Sequence, residues 1–203
     1  MTVILLTAII SVILALLFYK QIHEYKIILY VFFGLLALVV HESGNIITLG
    51  FVPFGIFLVV MFAGTLNKGV YRKRLFMVRA EYAIIGFILL LPHAIGYIEI
   101  YLDEVFPQLL SLSQVMGILS FVIMIPLAIT SFQIIRKKFT YKQWKKLHTA
   151  AYYAYLAVFI HLLVLNNERF LYYLAITIVY VLLKAPDIYK IFQKKYQTKR
   201  KET

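Results

Sequence analysis

Seven runs of apolar residues, separated by short polar and basic segments, cover most of the chain. A membrane-spanning helix needs about 20 mostly apolar residues. The second run is short for a span and ends at His41 and Glu42. The pattern predicts an all-α integral membrane protein, a bundle of six to seven transmembrane helices. The seven predicted spans are Thr2–Tyr19, Ile27–Val40, Ile46–Leu66, Glu81–Leu102, Leu112–Ile134, Leu147–Leu165 and Phe170–Leu183.

Composition agrees with this interpretation. Hydrophobic residues make up 63% of the chain, charged residues make up 15%, and the mean hydropathy is +0.86. Soluble domains average about 45–50% apolar and about 25% charged residues. The chain has no cysteine, which excludes disulfides, zinc–thiolate sites, iron–sulfur clusters and covalently attached c-type haem. The first run lacks a basic segment before it and a small-residue cleavage site after it, so we expect a retained span.

The basic residues predict the orientation. Threading seven spans puts twenty of the 21 lysines and arginines on one side and only Arg169 on the other. Basic loops remain in the cytoplasm, so we expect an outside N-terminus and a cytoplasmic C-terminus in a multi-pass protein of the plasma membrane. The net charge of +12 then reflects topology and attraction to anionic lipid rather than nucleic-acid binding.

Histidines are the candidate chemistry, because ionisable residues inside a membrane are costly. His93 lies fourteen residues outward from Arg79, and His161 lies thirteen outward from His148. A helix rises about 1.5 Å per residue, so both offsets are about 20 Å and His93 and His161 share a depth near the outer side. Two imidazoles at one depth between parallel helices favour a b-type haem, with one nitrogen on each side of the iron.

His148 lies near the cytoplasmic side and predicts a second, inner haem. Arg79 occupies that depth on the fourth span, so we expect the inner iron to have no histidine from this span as its other ligand. An ideal helix turns about 100° per residue, which puts His148 and His161 roughly 140° apart. Either the sixth span departs from ideal winding or its two histidines face different neighbours. His41 is a weaker candidate near the outer side, and His23 is expected to be solvated in the first cytoplasmic connection.

Three segments around these histidines resemble the ferric-reductase-like transmembrane domain family. They are RAEYAIIGFILLLPHAIGY (Arg79–Tyr97), GILSFVIMIPLAITSFQIIRKKF (Gly117–Phe139) and WKKLHTAAYYAYLAVFIH (Trp144–His161). The likeness covers roughly Ile46 to Leu183. Within the family it is greatest to the MsrQ type, the haem-binding membrane subunit of the periplasmic methionine sulfoxide reductase system.

The resemblance implies one or two b-type haems carried by His93, His148 and His161, with Arg79 as a candidate partner of a haem propionate. Full reductases of this kind have a second histidine on the helix that matches the fourth span, which this chain lacks. They also carry a cytoplasmic flavin and nicotinamide domain, which is not found before Thr203. We therefore expect quinone or FMN to act through a partner.

These observations predict three regions: extra N-terminal spans at 1–45, a haem-binding domain at 46–183 and a basic cytoplasmic tail at 184–203. The favoured function is an electron-transfer subunit of an oxidoreductase system. Its donor would be a cytoplasmic flavin reductase or a quinol, and its acceptor an extracytoplasmic redox protein or ferric iron. Two alternatives remain open: a haem-free, histidine-dependent proton or solute transporter, and an assembly or scaffold subunit.

Overall fold

The computed structural model describes residues 2–41, 44–100, 110–165 and 167–201. These residues are helical, with short turns between the helices. The helices are α1 (Thr2–Glu24), α2 (Lys26–Val39), α3 (Phe51–Ala63), α4 (Val70–Met77), α5 (Arg79–Ile100), α6 (Leu112–Ile129), α7 (Gln133–Arg136), α8 (Tyr141–His148), α9 (Ala151–Leu165) and α10 (Phe170–Lys201), with a 3₁₀ turn at Asn167–Arg169.

Each predicted span contains a helix. Among the described residues, four stretches are long and apolar enough to cross a membrane: Thr2–Glu24, Arg79–Ile100, Leu112–Ile129 and Tyr141–Leu165. Shorter apolar helices lie at Lys26–Val39, Phe51–Ala63 and Phe170–Pro186. The outward faces of the helices carry large exposed apolar side chains, such as Leu6, Leu17 and Leu38. A surface of this kind suits lipid rather than water, and the protein is a multi-pass membrane protein.

Two apolar clusters hold the helices together. The first joins α1, α3, α4 and α5 through Ala15, Val59, Leu75 and Leu89, with partly buried side chains of α2 packed against it. The second joins α1, α3, α9 and α10. Its buried members are Ile4, Phe54, Leu58, Met61, Phe159, Tyr173 and Tyr180. The N-terminal helix contributes to both clusters and is therefore an integral part of the bundle.

Helices α6 and α9 pack against each other along their length, and polar contacts mark the register of the pair. Ser113 contacts His161, Ser120 donates to the carbonyl of Ala154, and Thr130 contacts His148. The numbers rise on one helix and fall on the other, so the two segments run antiparallel. Small polar residues allow close approach and cross-helix hydrogen bonds inside a membrane.

Two predicted spans are interrupted near their basic ends. The predicted span Leu112–Ile134 ends as a continuous helix at Ile129, followed by a turn and the short α7. The predicted span Leu147–Leu165 is part of α8 and α9, which are separated at Thr149 and Ala150. Thr140 caps the start of α8 by accepting from the backbone N–H of Gln143, whose side chain accepts in return from the backbone N–H of Thr140. This cap sets where the basic helix α8 begins.

Candidate functional site

His93 of α5 is oriented by the turn that precedes α3. In this turn the side chain of Asn45 accepts hydrogen bonds from the backbone N–H groups of Ile47 and Thr48. The turn presents the carbonyl of Thr48 to His93 Nδ1 at 2.8 Å. A carbonyl can only accept, so Nδ1 carries the proton and Nε2 carries the lone pair. His93 is therefore prepared to bind a metal through Nε2.

His161 of α9 has the same arrangement. Its Nδ1 lies 2.8 Å from the carbonyl oxygen of Ser113, at the start of α6. The hydroxyl of Ser113 is 3.0 Å from the same nitrogen and donates to the carbonyl of His161 at 3.1 Å. Metal-binding histidines commonly donate their other N–H in this way, which fixes the tautomer and the ring orientation. Within the described residues, Nε2 of neither His93 nor His161 has a hydrogen-bond partner.

A glycine lies against each of these two rings. A Cβ atom on Gly50 would be 3.3 Å from His93 Nδ1, and one on Gly117 would be 3.0 Å from His161 Nδ1. Gly50 also has a φ of 77°, a conformation that other residues rarely adopt. Both glycines thus serve a close approach between backbone and imidazole. The two histidines share a hydrogen-bonding pattern and a packing pattern that neither shares with His148.

The space between α5 and α9 suits a group held by both histidines. In the described part of the chain these two helices barely touch, whereas α5 packs on α3 and α9 packs on α6. His93 and His161 lie on these two helices, each with a backbone carbonyl at its Nδ1. We call this pair, with Gly50, Gly117 and their carbonyl partners, the outer site.

His148 is held differently. Its Nε2 lies 3.1 Å from the hydroxyl of Thr130, which is 6% exposed. Its ring stacks on Trp144 with centroids 4.0 Å apart and an angle of 28° between the planes. Trp144 in turn donates to the carbonyl of Thr130 at 3.1 Å, and the guanidinium of Arg136 lies over the indole at 4.6 Å. The nitrogen that is free in the outer site is therefore engaged here.

A cavity of about 630 Å³ lies beside His148, between α3, α4, α5, α6, α8, α9 and α10. Ligand sites in proteins commonly have volumes of about 300–1,000 Å³. Its charged lining among the described residues is wholly basic: Arg72, Arg79, Lys145 and Lys184, together with His148. Arg72 and Arg79 both lie over the ring of Phe76, at 4.9 and 5.4 Å. We call this cavity the inner site, and its charge suits an anionic ligand.

His148 and His161, the two histidines of the interrupted span, both face α6. They do not face different neighbours, so the winding of the span must explain the angle between them. Around the interruption the backbone forms tighter i→i+3 hydrogen bonds, from Ala150 to Leu147 and from Tyr153 to Ala150. Such turns contain about three residues instead of 3.6. The extra rotation per residue brings His148 and His161 closer to one side than an ideal helix allows. The span therefore departs from ideal winding.

His23 is exposed, as expected, but it also has a partner in the protein. Its Nδ1 lies 2.7 Å from Oε1 of Glu81, whose side chain is only 4% exposed, while that of His23 is 49% exposed. The other carboxylate oxygen of Glu81 has no partner within the described residues. His41 lies 4.0 Å from Glu99, in a half-exposed ion pair, and contributes nothing to the outer site that the contacts reveal. Within the described residues, no group of three or more His, Cys, Asp or Glu side chains is placed to hold a metal ion.

Comparison with known proteins identifies the class to which these sites belong. Residues 45–159, more than half of the chain, match the family described as ferric reductase like transmembrane component. The chain belongs to this family. The match includes the helices α3 to α8 and part of α9. It therefore contains His93 and His148, and it ends two residues before His161. Membership implies transmembrane electron transfer in general, and members of the family typically bind haem.

A curated relative comes from Treponema pallidum (strain Nichols), where it is described as an uncharacterized protein. It is 35% identical over 113 residues, which are 53% of this chain and 31% of the relative. The chain therefore matches about a third of that relative's length. No solved structure matches the chain.

Haem fits the outer site by the chemistry of its donors. A six-coordinate haem needs two nitrogen lone pairs on opposite sides, and His93 and His161 offer Nε2 from two helices that barely touch. The inner site fits haem in volume and charge, but it offers a single imidazole whose Nε2 already has a partner. Residues that the sequence could not identify are Ser113, Thr48 and Thr130, because serine and threonine are common throughout membrane helices.

Proposed function

We propose that this protein is a haem b subunit that carries electrons across the membrane, with the outer haem held by His93 and His161. The observation that carries the proposal is the shared orientation of these two imidazoles. Each donates its Nδ1–H to a backbone carbonyl at 2.8 Å and keeps Nε2 for the iron. A haem held there accepts and releases one electron at a time.

The residues around the outer site exclude water and hold the ligands still. The glycines let each ring lie against the backbone, and the apolar side chains of the helices bury the cofactor. Burial, axial ligation and hydrogen bonds to the ligands are the means by which a protein sets the potential of a haem. The two carbonyl bonds raise the basicity of both imidazoles and so favour the oxidised iron.

We propose that the inner site binds a second haem, with His148 as its histidine and Arg79 beside its propionates. The cationic lining supports an anionic group at this depth, and Arg79 also lies near the hydroxyl of Tyr155. Since the inner site offers one imidazole, its iron should be five-coordinate or hold a weaker ligand. The two haems would form a path from the cytoplasmic side to the outer side.

The direction of electron flow follows from the basic residues, which favour an outside N-terminus and a cytoplasmic C-terminus. A flavin reductase or a quinone in or at the cytoplasmic face would supply electrons, with FMN carried by that partner. An extracytoplasmic redox protein or ferric iron would accept them. The likeness to the MsrQ type favours a methionine sulfoxide reductase as the acceptor. We also keep the division into N-terminal spans at 1–45, a haem domain at 46–183 and a basic tail at 184–203.

The test is the colour and the haem content of the purified protein. We expect a Soret band, a b-type pyridine haemochrome and low-spin bands that His93→Ala abolishes. His41→Ala is the matched control, because His41 is another histidine near the outer side and lies outside the outer site. A protein that stays colourless after reconstitution with hemin would instead favour the histidine-dependent transporter.

That transporter alternative has one observation in its favour. Glu81 is buried, has one unbonded carboxylate oxygen and contacts a half-exposed histidine. Buried carboxylate–histidine pairs also occur in proton relays. Proton uptake into vesicles that depends on Glu81, without haem, would establish it.

A further inference from the structure

We infer that Thr130 and Trp144 control whether the inner site can bind iron, by holding the Nε2 atom of His148. The inference rests on the proposed function, since it concerns the second haem of that proposal. It starts from the contrast between three histidines in one chain. Within the described residues, two have Nδ1 bonded and no partner at Nε2, and the third has Nε2 bonded.

The hydroxyl of Thr130 has a single proton, and its partners decide where this proton goes. Thr130 Oγ1 lies 2.7 Å from the carbonyl of Pro126, one turn earlier in α6. A carbonyl oxygen can only accept, so the hydroxyl donates to Pro126 and accepts from His148 Nε2–H. If the hydroxyl were turned to donate to Nε2, the lone pair would be engaged instead. In both arrangements Nε2 is unavailable to a metal.

The other ring nitrogen is a poor substitute. Nδ1 is adjacent to the carbon that joins the ring to the side chain, so its lone pair lies beside the helix that carries it. A porphyrin is a wide, flat group, and its approach to Nδ1 would meet that helix. Nε2 lies at the far end of the ring, where such a ligand has room. Iron binding at His148 therefore requires the Thr130 contact to open.

Trp144 makes opening costly because it joins His148 to Thr130 by a second route. Its ring stacks on the imidazole at 4.0 Å, and its N–H donates to the carbonyl of Thr130 at 3.1 Å. Thr130 itself is buried and cannot exchange its partners for water. These contacts hold the imidazole in the position that excludes ligation, so the inner haem binds more weakly than the outer one.

The experiment is a titration of the purified protein, carrying its outer haem, with hemin. Thr130→Val keeps the shape of the side chain and removes the hydroxyl. We expect it to tighten binding of the second haem about fivefold, since a buried hydrogen bond of about 1 kcal/mol no longer competes. Thr177→Val is the matched control, because Thr177 also donates to a carbonyl one turn earlier, at 2.7 Å, but lies on α10. It should leave the affinity unchanged.

Three further results separate the possible outcomes. The gain should disappear in the double variant Thr130→Val, His148→Ala, because the new affinity comes from that imidazole. Thr130→Ser keeps a hydroxyl and should behave like the wild type. Thr130→Ala serves if the valine variant fails to retain the outer haem. Unchanged or weaker binding of the second haem in hydroxyl-free variants that keep the outer haem overturns the inference alone. A wild type that binds no haem at all overturns the proposed function.

Discussion

The outer and inner sites place the same residue type in opposite states. At the outer site, backbone carbonyls bind the near nitrogen of each imidazole and leave the far nitrogen free. At the inner site, a side-chain hydroxyl binds the far nitrogen of His148. The outer site is built on two histidines, whereas the described lining of the inner site has one histidine and four lysines and arginines.

The difference teaches that depth and residue type do not define a ligand by themselves. All three histidines face α6 or the space beside it, and all three match the pattern expected of ligands. They differ in which ring nitrogen has a hydrogen-bond partner, and this depends on the packing of a neighbouring turn or helix. The outer site presents two imidazoles suited to binding a metal, whereas the inner site presents mainly cationic side chains.

The largest expected effect comes from removing one histidine from each site. His161→Ala should abolish the low-spin spectrum, because one of two axial nitrogens is lost, while His148→Ala should leave that spectrum in place. Absorbance and electron paramagnetic resonance spectra of the two variants make the comparison. Equal loss of the low-spin signal in both variants would mean that the two sites do not act separately.

A smaller effect is expected from filling the space beside an outer ligand. Gly117→Ala would place a Cβ atom 3.0 Å from His161 Nδ1, so the ring must shift against a rigid backbone. Crowding of this kind costs about 1–3 kcal/mol, and we expect the outer haem to bind about tenfold more weakly. The measurement is haem transfer to an excess of a haem-binding acceptor protein.

Gly96→Ala is the control for that variant. Gly96 is also in a helix of the bundle, and a Cβ atom there would meet nothing within 4 Å. It should retain the outer haem as the wild type does. If both alanine variants behave alike, helix propensity rather than crowding of His161 explains the result.

The smallest effect should come from charge at the inner site. Arg79→Gln removes a cation from the cavity lining and should weaken the second haem severalfold, with the outer spectrum unchanged, since an ion pair that water can reach contributes up to about 1 kcal/mol. Hemin titration measures the change. Lys68→Gln is the control, because Lys68 is exposed and does not line the cavity. Similar weakening by both substitutions would point to the overall charge of the basic face.

The sequence predicted the helices well because their signal is local. Runs of apolar residues identified a helix in every predicted span, including the short α2. The ends of the helices were less predictable. The turn at Thr130 and the break at Thr149 and Ala150 depend on contacts between α6, α8 and α9. None of these three residues is a helix breaker. The shortness of α3 depends on the turn that ends at Gly50.

For the sites, the sequence identified the histidines but not their partners. His93 and His161 could be paired by depth because helical rise is regular. Their carbonyl acceptors could not be found, because every residue has a carbonyl and only the packing selects Thr48 and Ser113. The partner of His23 was not predicted for a related reason. Its partner Glu81 is 58 positions away in the chain, and no local pattern joins them.

The contact between His23 and Glu81 has a consequence for the order in which the protein is made. Chains enter the membrane from the N-terminus, so α1 is in place before α5 leaves the ribosome. A carboxylate inside a bilayer costs about 2.5–3.5 kcal/mol when it has no partner. Because His23 lies at the end of the first helix, its imidazole is available to Glu81 as soon as α5 inserts. The N-terminal helix therefore supplies the fifth helix with a partner for its buried carboxylate.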